Sequence, residues 1–111
     1  MPDRGDHNGR YVLDGKTPKP EPDLFVWAEW LENADRHVAL SIQGDVRVST
    51  VFIGLDYSFG DGPPLLFETM AFVGDEDAGC ERYSTWEEAE ASHRRWVDRI
   101  FKPTPILSLP T

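Results

Sequence analysis

Between two segments of helical periodicity lies a stretch, Val38 to Val73, whose apolar residues alternate or run on as they do in strands. That order leaves few folds open. His37 to Gln43 alternates, with Val38, Leu40 and Ile42 on one side and His37, Ala39, Ser41 and Gln43 on the other. The spacing predicts a half-buried strand with the apolar set inward. Gly44-Asp45, flanked by β-formers, predicts a two-residue hairpin. The return strand should run from Val46 to about Asp56, and its doubly apolar middle, Val51-Phe52-Ile53, predicts cover on both faces. Residues 58–64 have loop composition, Leu65 to Val73 reads as a third strand, Gly74 to Cys80 as an acidic loop, and Glu81-Arg82-Tyr83 as a short final strand.

The flanking helices carry their own signals. Pro22 suits a first helical position and Asp23 the first turn. The helix should then reach about Arg36, with Leu24, Trp27, Ala28, Leu31 and Ala34 on one arc and Phe25 and Trp30 beside it. Thr85-Trp86-Glu87-Glu88 matches a capping box. Behind it Trp86, Ala89, His93, Trp96, Val97 and Ile100 form an apolar stripe, which Pro103 should end. Tyr11-Val12-Leu13 reads as an edge strand closed by Asp14-Gly15, and the proline-spaced Lys16 to Pro22 as a stiff connector. The expected fold class is α+β: one two-layer domain, residues 11–102, with an antiparallel sheet of three to five strands and both helices packed on it. Residues 1–10 read as a disordered tail and 103–111 as an extended C-terminal tail.

Charge narrows the function classes. Twenty acidic against eleven basic residues give a net charge of -9, which opposes direct nucleic-acid binding and anionic membranes and suits a basic partner. A lone cysteine, Cys80, forbids an internal disulfide, and no apolar run is long enough for a membrane helix. With a polar N-terminus, these features make the cytoplasm the expected compartment. Arg4-Gly5-Asp6 matches an integrin-binding tripeptide, a pattern too short to weigh against that setting.

No catalytic residue is assigned, but four side chains are candidates for a ligand site: Arg47, Glu68, Arg82 and His93. Glu68 shares its strand face with Leu66, Met70 and Phe72, so its carboxylate needs a partner, for which Arg47 and His93 are the candidates. His93 interrupts an apolar stripe, as a general base or a hydrogen-bonded core histidine would. Arg47, Arg82, Arg94 and Arg95 with nearby aromatics could hold a small anionic or nucleotide-like ligand. Cys80 stands among carboxylates that suppress a thiolate. His7, His37 and His93 are scattered without metal-ligand spacing, Asp75-Glu76-Asp77 lacks the EF-hand pattern, and no phosphate-cradling or nucleophile-elbow motif occurs, so no metal or cofactor is expected.

Three stretches, PEPDLFVWAEWLENADRHVA (20–39), DVRVSTVFIGLDYSFGDGPPLLFETM (45–70) and RYSTWEEAEASH (82–93), together resemble a group of small, uncharacterised proteins encoded widely in tailed bacteriophage and prophage genomes. The resemblance implies a phage accessory context only, and with it the cytoplasm of a bacterial host cell; it carries over no activity or catalytic residue. Three functions follow as expectations. The first is a non-catalytic accessory protein that binds a host protein, in a counter-defence role. The second is a protein that binds or sequesters a small anionic ligand. The third is a small enzyme using Glu68 and His93. Self-association is left open.

Overall fold

The computed structural model describes residues 9–56, 58 and 62–101. The chain forms β1 (Tyr11–Asp14), β2 (Thr17–Pro20), α1 (Leu24–Asn33), β3 (His37–Gln43), β4 (Val46–Phe52), β5 (Phe67–Val73), β6 (Glu76–Tyr83) and α2 (Trp86–Ile100). β1 and β2 make a two-stranded hairpin, and β3-β4-β5-β6 make a four-stranded antiparallel sheet in sequence order. This is a single α+β domain, as the sequence order implies. Arg4-Gly5-Asp6 and the proline-rich segment 103–111 lie outside the described residues.

One face of the larger sheet is covered. Val48, Thr50 and Phe52 of β4, Phe67, Thr69 and Ala71 of β5, and Tyr83 of β6 are buried there against Ala89, Ser92, His93 and Trp96 of α2. Phe52 sits edge-on to Trp30 of α1 at 5.7 Å and to Phe67 at 5.2 Å. Tyr11 and Leu13 of β1 pack on the same cluster. Both helices and the small hairpin therefore lie on one side of the sheet. Each fully buried aromatic contributes about 1.5–3 kcal/mol through burial, so Phe52 and Phe67 anchor the layer.

Local chemistry fixes the element ends. Thr85 Oγ1 accepts from Glu88 N at 3.0 Å, and the Glu88 carboxylate accepts from Thr85 N at 3.2 Å, completing the capping box. α1 starts one step later than expected. Asp23 is its N-cap, accepting from Phe25 N and Val26 N at 2.9 and 3.2 Å, and Pro22 stands before the cap. Gly54, at φ 76°, receives bonds from both Tyr11 N and Trp27 Nε1, and a Cβ there would come within 2.9 Å of Leu31. A glycine at this point lets α1 and β1 close on the sheet end.

Several expectations are corrected. Lys16 to Pro22 is no connector, because Thr17–Pro20 pairs with β1 as an edge strand, where missing N–H groups cost least. Gly9 and Arg10 belong to the domain: Arg10 bridges Leu55, and Asp56 N bonds Gly9 O at 2.8 Å. The acidic loop is a strand. Gly74-Asp75 is the turn, and Glu76–Tyr83 pairs with β5 along its length, with a bulge at Ala71/Phe72. An edge strand tolerates the charges that a central one would not. α1 buries no residue fully, and Leu24, Phe25 and Val26 are exposed.

The facing of β3 is reversed from Ala39 onward. A bulge between His37 and Ala39 sets Ala39 and Ser41 opposite Thr50 and Val48 on the covered face. Leu40 and Ile42 point the other way, 51% and 62% exposed. Val38 still packs on the core cluster, so the bulge splits the apolar set that alternation puts on one side, and it separates His37 from Ala39 and Ser41 as well.

Candidate interaction surface

The second face of the four-stranded sheet has no layer over it among the described residues. Strand register puts Leu40 and Ile42 of β3, Arg47, Ser49 and Val51 of β4, Glu68, Met70 and Phe72 of β5, and Cys80 and Arg82 of β6 on that side. A one-sided antiparallel sheet ordinarily turns polar residues to water. Here five large apolar side chains interrupt that rule. Contiguous apolar area left open on a folded domain is a hallmark of contact sites.

Charges frame the patch. Arg82 Nε donates to Glu68 Oε2 at 3.0 Å, directly across the β5–β6 register. Glu68 thus meets neither Arg47 nor His93. Cys80 Sγ lies 3.4 Å from the same carboxylate oxygen, and burial first, then this bond, pushes the thiol pKa up. Arg47 lays its guanidinium 4.6 Å from the Phe72 ring centroid. The two share a shallow recess of about 500 Å³ with Ile42, Asp45 and Asp75 at the turn end of the sheet. Glu76 and Asp77 begin β6 at that end, so the rim there is acidic.

His93 lies on the opposite side, under α2. Its Nδ1 is 2.8 Å from Thr50 Oγ1 and its Nε2 is 2.9 Å from Ser41 Oγ, while Thr50 Oγ1 is 2.6 Å from Thr69 Oγ1. Burial holds the imidazole pKa below the ordinary value, and the neutral ring donates to one hydroxyl and accepts from the other. This is a satisfied core histidine. The sheet itself separates it from Glu68, so the two cannot act on one substrate atom.

A second polar cluster escaped the sequence reading. Trp96 Nε1 donates to Glu81 Oε1 at 3.0 Å; Tyr83 OH and Ser92 Oγ lie 3.0 and 3.2 Å from the same oxygen and within bonding reach of each other, so their two protons are shared among these three contacts. Burial disfavours the Glu81 anion, but the bonds from Tyr83, Trp96 and Ser92 outweigh it and hold the carboxyl below its usual range. The six-membered ring of Trp96 abuts Gly79, where a Cβ would collide with it. The signal lay in Glu81, Tyr83, Ser92 and Trp96 facing one another once Glu76–Tyr83 is known to be a strand. The cluster ties β6 to α2. Arg82, Arg95 and Glu88 line a shallow recess of about 430 Å³ beside it.

The four candidate ligand residues therefore do not converge. Arg47 and Arg82 stand on the open face at opposite ends of the β4–β6 span, Glu68 is paired with Arg82, and His93 is buried behind the sheet. Among the described residues, no three His, Cys, Asp or Glu side chains group as metal ligands would, and no helix is long and apolar enough to cross a membrane. No family model, curated protein or solved structure matches the chain.

Proposed function

We propose that this chain is a non-catalytic accessory protein that binds another protein through the open face of its sheet. In the phage setting that its sequence resembles, the partner is a host protein and the role counter-defence. The observation that carries the reading is the set Leu40, Ile42, Val51, Met70 and Phe72, spaced by Arg47 and Ser49, on a face that no helix among the described residues covers. Four strands of about seven residues span roughly 450 Å² in projection at strand spacings of about 4.8 Å and rises of about 3.4 Å. That is a little over half of the ~800 Å² per partner of an ordinary specific interface, so rim residues must complete the contact. Asp45, Asp75, Glu76 and Asp77 crowd one end of it, which suits a partner whose apolar patch is flanked by basic groups.

The small-ligand reading rests on the Arg47–Phe72 recess. Asp45 and Asp75 line that recess too, and two carboxylates beside one guanidinium oppose an anion. The enzyme reading needs Glu68 and His93 in one cleft, and they lie on opposite faces.

Crosslinking mass spectrometry on host lysate tests the proposal. The wild-type chain should crosslink to a defined partner through residues on the open face. Met70→Lys should lose the partner, and Asp98→Lys on the exposed side of α2 should keep it. Equal capture by all three would refute the open-face assignment.

A further inference from the structure

The two edges of the larger sheet are built differently. β6 carries Glu76, Asp77, Glu81 and Arg82 and is bent by a bulge, the usual devices that keep a strand edge from pairing with another molecule. β3, His-Val-Ala-Leu-Ser-Ile-Gln, has no lysine, arginine, carboxylate or proline, and no strand among the described residues lies on its outer side. In a chain of net charge -9 this is a strip where two copies approach without meeting charge on either strand.

We infer that β3 pairs antiparallel with β3 of a second copy about a two-fold axis at Ser41, joining two sheets into one of eight strands. The inference goes beyond the open-face reading and does not depend on it. The register follows from backbone geometry. Gln43 and Val46 close a two-residue hairpin, so they form a hydrogen-bonded pair, and bonded pairs recur at Ser41–Val48 and Ala39–Thr50. Leu40 and Ile42 fall between them and aim their N–H and C=O groups away from β4. Pairing Leu40 with Ile42 of the second copy, and Ile42 with its Leu40, uses all four outward groups on each strand and opposes Ser41 to Ser41. It also stays clear of the bulge at His37/Ala39 and of the Gly44-Asp45 turn.

The same register stacks Leu40 on Ile42 of the second copy, on the open side, where the two side chains are 51% and 62% exposed in the single chain. It brings the Gly44-Asp45 turn of each copy toward Arg36 and His37 of the other. A strand is self-complementary under this symmetry, which a heterologous partner would have to match separately. The contact is smaller than a standard interface, so the dimer is reversible.

Sedimentation equilibrium and amide hydrogen exchange test this together. Between about 5 and about 500 μM, a range that brackets weak association, the mass should move from one chain toward two. Over the same range the Leu40 and Ile42 amides should gain protection. Ile42→Pro deletes an outward donor that β4 does not use, so it should fold, with an unchanged circular dichroism spectrum, and sediment as one chain throughout. Met70→Lys, two strands inward, should leave dimerisation unchanged. Loss of the dimer in Met70→Lys with retention in Ile42→Pro would assign self-association to the open face and overturn the inference. So would one-chain mass at every concentration, or Leu40 and Ile42 protection that ignores concentration, as pairing with a segment of the same chain would give. The exchange readout on wild-type protein stands even if Ile42→Pro fails to fold.

Discussion

Truncating Phe52 to alanine should remove the joint on which the covered layer rests. Phe52 is 0% exposed, meets Phe67 across the sheet at 5.2 Å, and takes the edge contact of Trp30 from α1 at 5.7 Å. A buried Phe→Ala change costs about 3–5 kcal/mol in transfer and cavity terms. Whole-domain stability is about 5–15 kcal/mol, so this is a large share of it. A fall in Tm of about 12 °C or more follows, at roughly 4 °C per kcal/mol for a domain near this size. Urea titration followed by tryptophan fluorescence and by far-ultraviolet circular dichroism measures it. A double-mutant cycle with Trp30→Ala should return about 1 kcal/mol of coupling, the worth of one edge-on aromatic pair. α1 has no fully buried residue of its own, so its signal should melt earlier in Phe52→Ala than the sheet signal. A loss below about 1 kcal/mol, the range of surface changes, would refute the placement of Phe52 at the centre of this core.

Other outcomes follow from the same geometry. Thr85→Ala removes the acceptor for Glu88 N and should cost about 1 kcal/mol in urea melts, with Thr85→Ser restoring most of it. His93 has a pKa lowered by burial, so the unfolded chain binds its proton more readily. Stability from this site should be full above the unfolded value near 6.5 and decline as pH falls below it, and His93→Phe should flatten that slope if the urea midpoint is followed with pH. The Cys80 thiol is raised by burial and by Glu68, so alkylation by iodoacetamide at neutral pH should be slow in the wild type and several-fold faster in Glu68→Gln; equal rates would remove Glu68 as a cause.

What the sequence disclosed depended on whether a signal was local. The capping box, the Gly44-Asp45 hairpin and the stripe of α2 are set by neighbours within four residues, and each appears where the spacing placed it. The direction in which β3 faces is not local. Val38, Leu40 and Ile42 share a parity, but α2 covers Val48, Thr50, Thr69 and Ala71, and a single bulge then turns Leu40 and Ile42 to the open side. Asp75, Glu76 and Asp77 suggested a loop because carboxylates are rare in strands, yet an edge position solvates them. Pro18 and Pro20 misled for the same reason. Glu68 was identified as needing a partner, and the partner, Arg82, became apparent only with the β5–β6 register. The open apolar face was hidden because composition counts apolar residues without saying which side of a sheet they occupy.

The account stands on a sheet with one covered and one open face, and two adjacent residues of β5 measure it. Thr69 is 0% exposed and bonded to Thr50, while Met70 beside it points to the open side. Urea unfolding of Thr69→Lys and Met70→Lys should give a loss above about 3 kcal/mol, or failure to fold, for the first and less than about 1 kcal/mol for the second. Equal losses, or the larger loss at Met70, would mean that both sides of the sheet are covered and would contradict the account.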